Sequence, residues 1–182
     1  MAERIDIWKK VVDVQQHFND LEMRIRNFAI TILGALFGAA SLALSRDVKI
    51  QFEGMNLPLG LFLLLAALLT WIGFWFMDRH WYHRLLYGAV QQGMKVEESI
   101  KSAIPEITLT EAIGKASPIY LGKIKIRSAA KINIFYGIGG AAIIIAIAAL
   151  MLTANLVVEE ASPSESPNGD EDAVRSEQTI RE

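Results

Sequence analysis

The residues whose types suit chemistry best are three histidines with acids close by. His17 and Asp20 lie in the N-terminal segment, and Asp78, His80 and His83 follow a long apolar run. Imidazole and carboxylate together can hold a divalent ion or relay a proton, and residues three apart share one face of a helix. Their depths set them apart. With Asn27 and Asp78 taken as membrane-edge residues, helical rise puts His80 about 3 Å and His17 about 15 Å beyond the edge. We therefore expect no catalytic, cofactor-binding or metal site, no cofactor, and no enzymatic activity. A membrane-bound metal enzyme stands as the second alternative.

The absence of cysteine excludes disulfides, thiolate metal ligands and cysteine nucleophiles. No phosphate-binding loop, nucleophile elbow or zincin-type helix occurs. A formal net charge of −2, with the basic residues spread along the chain, argues against nucleic acid as a partner.

The elements that must position these side chains are apolar. Three runs, Phe28 to Leu44, Leu57 to Met77 and Ile134 to Leu156, contain no charged side chain. Each approaches the ~20 residues a helix needs to cross a ~30 Å hydrocarbon core. The expected fold is all-α, an integral membrane protein with three transmembrane helices, the first two extended into the cytoplasm as an antiparallel helical pair. The expected organisation is a cytoplasmic amphipathic helix over 1–26, spans over 27–45, 57–77 and 134–156, an extracytoplasmic loop over 46–56, a cytoplasmic helical region over 78–133, and a tail over 157–182.

Charge orients these spans. Segments 1–26 and 78–131 hold five and nine Lys/Arg, whereas loop 45–56 and the tail hold two each. The positive-inside rule then places the N-terminus and the long loop in the cytoplasm and the C-terminus outside, in a membrane read as the bacterial inner membrane. From Glu159 onward there are eight acids, two bases and almost no apolar content, a composition expected to be disordered.

Before the first span, Ile7, Val11, Val14, Phe18, Leu21 and Ile25 recur at heptad spacing, and no Gly or Pro interrupts until Gly34. One helix is expected from about Glu3 to Ser45. After the second span, Leu86, Ala89, Gly93 and Val96 repeat the spacing up to Pro105. The expected coiled-coil-like cytoplasmic seam is Val11, Val14, Phe18 and Leu21 against Leu86, Ala89 and Gly93, with the small residues leaving room for the large ones. Residue numbers at equal depth then sum to about 105. That pairs Arg24 or Arg26 with Asp78, and Asp20 or Glu22 with Arg84, as interhelical ion pairs.

Farther along, Thr108 and Glu111 have capping-box spacing for a short helix ending near Gly114, and Ser117-Pro118 resembles another helix start. The alternating Lys and Ile of Leu121 to Arg127 suit a short strand or a helix on an anionic lipid surface, and the helix is the favoured expectation. Within the first span, Gly34 and Gly38 form a GxxxG step flanked by Ala35 and Ala39, a smooth face for helix packing or oligomerisation.

These features point to a non-enzymatic, membrane-anchored helical interaction and oligomerisation module. Its expected partners are membrane lipids, a second copy of the chain and a cytoplasmic protein. The first alternative is an oligomeric, pore-like effector of a bacterial defence system. The spans carry few polar groups, which disfavours a transporter.

Overall fold

The computed structural model of the chain describes residues 2–161. It divides into two units, Met1–Ile147 and Ala148–Glu182. The first holds every element below except the C-terminal part of the last helix. In the second, the helix continues to Ala161, and Thr153 Oγ1 donates to the carbonyls of Ala149 and Leu150, at 3.1 and 2.9 Å, inside its own helix. The tail expected to be disordered from Glu159 instead continues the helix to Ala161, and the remainder of it lies outside the described residues.

Helix α1 (Ala2–Ser45) is unbroken, as its lack of proline and early glycine permits. A hairpin of β1 (Lys49–Phe52) and β2 (Met55–Pro58) follows, and α2 (Leu59–Phe76) begins directly after it. Residues 77–82 form a π-helical turn that continues into α3 (His83–Ile100). Then come α4 (Leu109–Ala116), a second hairpin of β3 (Ile119–Leu121) and β4 (Ile124–Ile126), and α5 (Ser128–Ala161). The chain is mostly helical, and three of its helical stretches, Ala2–Ser45, Leu59–Ile100 and Ser128–Thr153, are long and apolar enough to cross a membrane.

Three expectations are corrected. Loop 46–56 is largely a β-hairpin, and its strand β2 takes the first two residues assigned to the second span. Glu53 and Gly54 both have positive φ, 48° and 81°, the conformation of a tight I′ turn between right-twisted strands. Ser117-Pro118 starts no helix: Ser117 ends α4, and a strand follows. Leu121 to Arg127 is the hairpin rather than the favoured helix. Gly122, at φ 61°, sits first in the two-residue loop where a II′ turn requires glycine, and the Lys/Ile alternation becomes the pleat.

The core joins α1, α2 and α5. Ala29, Trp71, Ile132, Tyr136 and Ile143 are buried together, with Leu33, Phe37 and Phe135 packed around them. Trp71 fits against Gly139, where a Cβ would collide with the indole, and its Nε1 donates to Tyr136 O at 2.7 Å. The glycine-rich start of the third apolar run thus serves close packing. At the start of α2 the Leu44 side chain fills the space over Gly60.

Candidate functional site

Beyond the apolar runs, α1 packs along α3, and its contacts advance in opposite directions on the two helices. Arg26 meets Asp78, Glu22 meets His83, Gln15 meets Ala89, Trp8 meets Glu97 and Arg4 meets Ser99. The seam is more polar than the apolar periodicity implies. Its inner line runs through Trp8, Gln15, Glu22 and Ala29, whereas Val14 is 37% and Ile7 47% exposed. Val11, Phe18, Leu21, Leu86 and Ala89 are half-buried and Gly93 is buried. Gln15, rather than Phe18, Val14 or Val11, occupies the space beside Gly93, donating to Ala89 O at 3.2 Å and to Thr110 Oγ1 at 3.4 Å.

At the edge of the apolar runs a charged cluster is closed off. Asp78, fully buried in the π-helical turn, accepts from Arg26 Nε at 2.7 Å and Nη2 at 3.2 Å. The same Nη2 reaches Glu22 at 2.9 Å, and Glu22 also accepts from His83 Nδ1 at 3.2 Å. Burial opposes the Arg26 charge, but the two carboxylates more than offset it and hold the guanidinium above its ordinary value. The Tyr136 hydroxyl is buried beside Asp78 in this cluster. Asp78 is therefore met by Arg26 and not by the exposed Arg24, and Glu22 by His83 and not by the exposed Arg84. The other histidines lie elsewhere. His80 stacks on Phe76 and sits edge-on to Trp75, and His17 lies beside Phe18. Among the described residues, no group of three or more His, Asp or Glu is placed to hold a metal ion.

Helix α4 is fixed by an unexpected cap. Thr108 precedes it without a side-chain capping bond, and Glu111 pairs with Lys115 at 2.5 Å instead of reaching back. The cap comes from Glu97, on α3. Its carboxylate accepts from Thr110 N at 2.7 Å, Glu111 N at 3.1 Å and Trp8 Nε1 at 3.2 Å. Burial pushes this carboxyl up, but the bonds from Thr110, Trp8 and Glu111 prevail and hold it below the usual range. A cap supplied across two helices leaves no local sequence signature.

Between α1, α3, α4, the second hairpin and the start of α5 lies a cleft of about 1400 Å³. Its walls are tied at several points: Lys131 Nζ donates to Ser117 O at 2.6 Å, and the hydroxyls of Ser117 and Ser128 are 2.8 Å apart. Leu86, Val90, Ile132 and Phe135 are among its apolar lining, and Lys115, Lys125, Arg127 and Lys131 are among its cations. Gly34, Ala35, Gly38 and Ala39 lie away from all of this. All four are exposed, and a Cβ on either glycine would meet nothing within 4 Å. No known protein family, curated protein or solved structure matches the chain.

Proposed function

We propose that the chain is a non-enzymatic, membrane-anchored binding module. Its apolar helices hold it in the bilayer, and the α1/α3 pair with α4 and the second hairpin forms a receptor on the cytoplasmic side. The observation that carries this reading is the cleft. Its walls are pinned by hydrogen bonds reaching across elements, yet the described residues leave its interior open, the form of a preorganised binding site. The charged cluster beside it supports a structural rather than a catalytic role. Arg26, Asp78, Glu22 and His83 are spent on one another, and an acid or base committed in this way is poorly placed for proton transfer to a substrate.

A second reading, the pore-like effector, is favoured by the open face of Gly34, Ala35, Gly38 and Ala39. Small residues left unpacked within a span permit close approach of another helix. Induced expression with a membrane-potential dye, alongside crosslinking, separates the two. The module predicts normal growth and polarised cells at high copy. Rapid depolarisation that disappears in Gly34→Leu/Gly38→Leu at matched membrane levels would favour the effector.

A further inference from the structure

The second hairpin and the cleft beside it share a chemistry that identifies a ligand. Tyr120 pairs with Lys125 across the hairpin, and both line the cleft, with Lys125 Nζ 5.8 Å from the centre of the Tyr120 ring. Pleating sends the cross-strand pairs Ile119 with Ile126 and Leu121 with Ile124 to the other face. Ile119, Leu121 and Ile124 are 54%, 69% and 66% exposed. A short hairpin with an isoleucine and leucine face in water is unfavourable. The same hairpin at the surface of a bilayer is not, because the apolar face enters the headgroup boundary while the lysines stay with the phosphates.

Position agrees with this. β4 leads through Arg127 into α5, whose apolar run begins at Ile134, so the hairpin stands at the membrane edge. The cleft behind it is lined by five cations, Arg26, Lys115, Lys125, Arg127 and Lys131, against two carboxylates, Glu22 and Glu111. Glu22 is committed to Arg26 and His83, and Glu111 to Lys115, which leaves the excess positive charge at Lys125, Arg127 and Lys131. The half-buried Phe135 of α5 continues from this basic wall toward the membrane-spanning part of the same helix. A basic wall that grades into an apolar surface at the bilayer edge matches an amphiphile with an anionic head and a hydrocarbon tail.

We propose that the cleft seats the headgroup of an anionic phospholipid from the adjoining leaflet, with the β3–β4 hairpin resting on the bilayer beside it. Lys125, Arg127 and Lys131 face the phosphate, and Phe135 lies along the upper acyl chain. This rests on the binding-module reading and names its ligand.

The full chain, reconstituted in vesicles of phosphatidylcholine mixed with phosphatidylglycerol and then transferred to detergent, would be assayed for retained lipid by native mass spectrometry. The wild type should retain phosphatidylglycerol over phosphatidylcholine. Lys125→Glu/Arg127→Glu should lower that preference by about tenfold or more, since each basic residue near an anionic surface contributes about 1 kcal/mol. Lys9→Glu/Lys10→Glu makes the same change in net charge on an exposed stretch of α1 and should leave the preference intact. A matched thermal midpoint in both variants shows that each has folded. Equal retention of both lipids by the wild type, or an equal loss in the Lys9/Lys10 variant, overturns the site. Displacement of the lipid by inorganic pyrophosphate would identify a free phosphate compound as the occupant. That outcome overturns the lipid and leaves the module reading standing, whereas a depolarising wild type overturns the module itself.

Discussion

A carboxylate as deeply buried as that of Asp78 is tolerable only while Arg26 stands against it, because an unpaired charge in that position bears its full desolvation penalty. Arg26→Met should therefore cost on the order of 3–5 kcal/mol. Adding Asp78→Leu should recover much of that loss, giving non-additivity well above 1 kcal/mol in thermal unfolding of the detergent-solubilised protein. Arg24→Ala, two residues away and exposed, should be neutral; additive losses at Arg26 and Asp78 would contradict the contact. That Asp78 would meet either Arg24 or Arg26 was readable from spacing alone. Which arginine faces inward was not, because the apolar stripe drawn through Val14 and Leu21 is turned from the true contact line through Gln15 and Glu22. Polar side chains on that line were passed over because a stripe search looks only for apolar ones.

Among elements, α4 is the one most dependent on its surroundings. An eight-residue helix is marginal alone, and its first amides are satisfied by Glu97. The Glu97 carboxyl titrates below its ordinary value of 4.5, so its stabilising contribution is fully present above that pH and is lost as pH falls through the lower folded value. Hydrogen-exchange protection of the Thr110 and Glu111 amides should follow. Glu97→Gln should lower it at neutral pH by about 1 kcal/mol, the usual worth of a cap, and the variant and the wild type should converge in acid. A gap that persists at low pH would assign the bonds to geometry rather than charge. The long helices were legible because they repeat one signal over many turns. The hairpins were not: strands of three or four residues hold one or two pleats each, and their turns use Glu-Gly and Gly-Lys rather than the Asn-Gly signature.

For the whole molecule, the three apolar helices make a multi-pass membrane protein the natural reading, and the Lys/Arg asymmetry supplies a direction. A reporter inserted between Pro105 and Ser117 should be active only in its cytoplasmic form, and one fused after Leu156 only in its extracytoplasmic form. The reverse pattern would invert the proposed orientation and keep only the order of spans. Insertion within 105–117 should also disturb the cleft, so topology and binding are best read on separate fusions.

The unbroken course of α1 sets a distance as well as a direction. From Arg26, at the edge of its apolar run, to Trp8, against Glu97, the helix rises about 27 Å. That exceeds the screening length of physiological saline, about 8 Å, more than threefold. In the proposed orientation the Trp8 end lies outside the reach of the lipid surface potential, while the Lys131 end of the cleft lies within it. Ionic strength should accordingly act on the Lys131 end of the cleft and leave the Trp8 end unaffected.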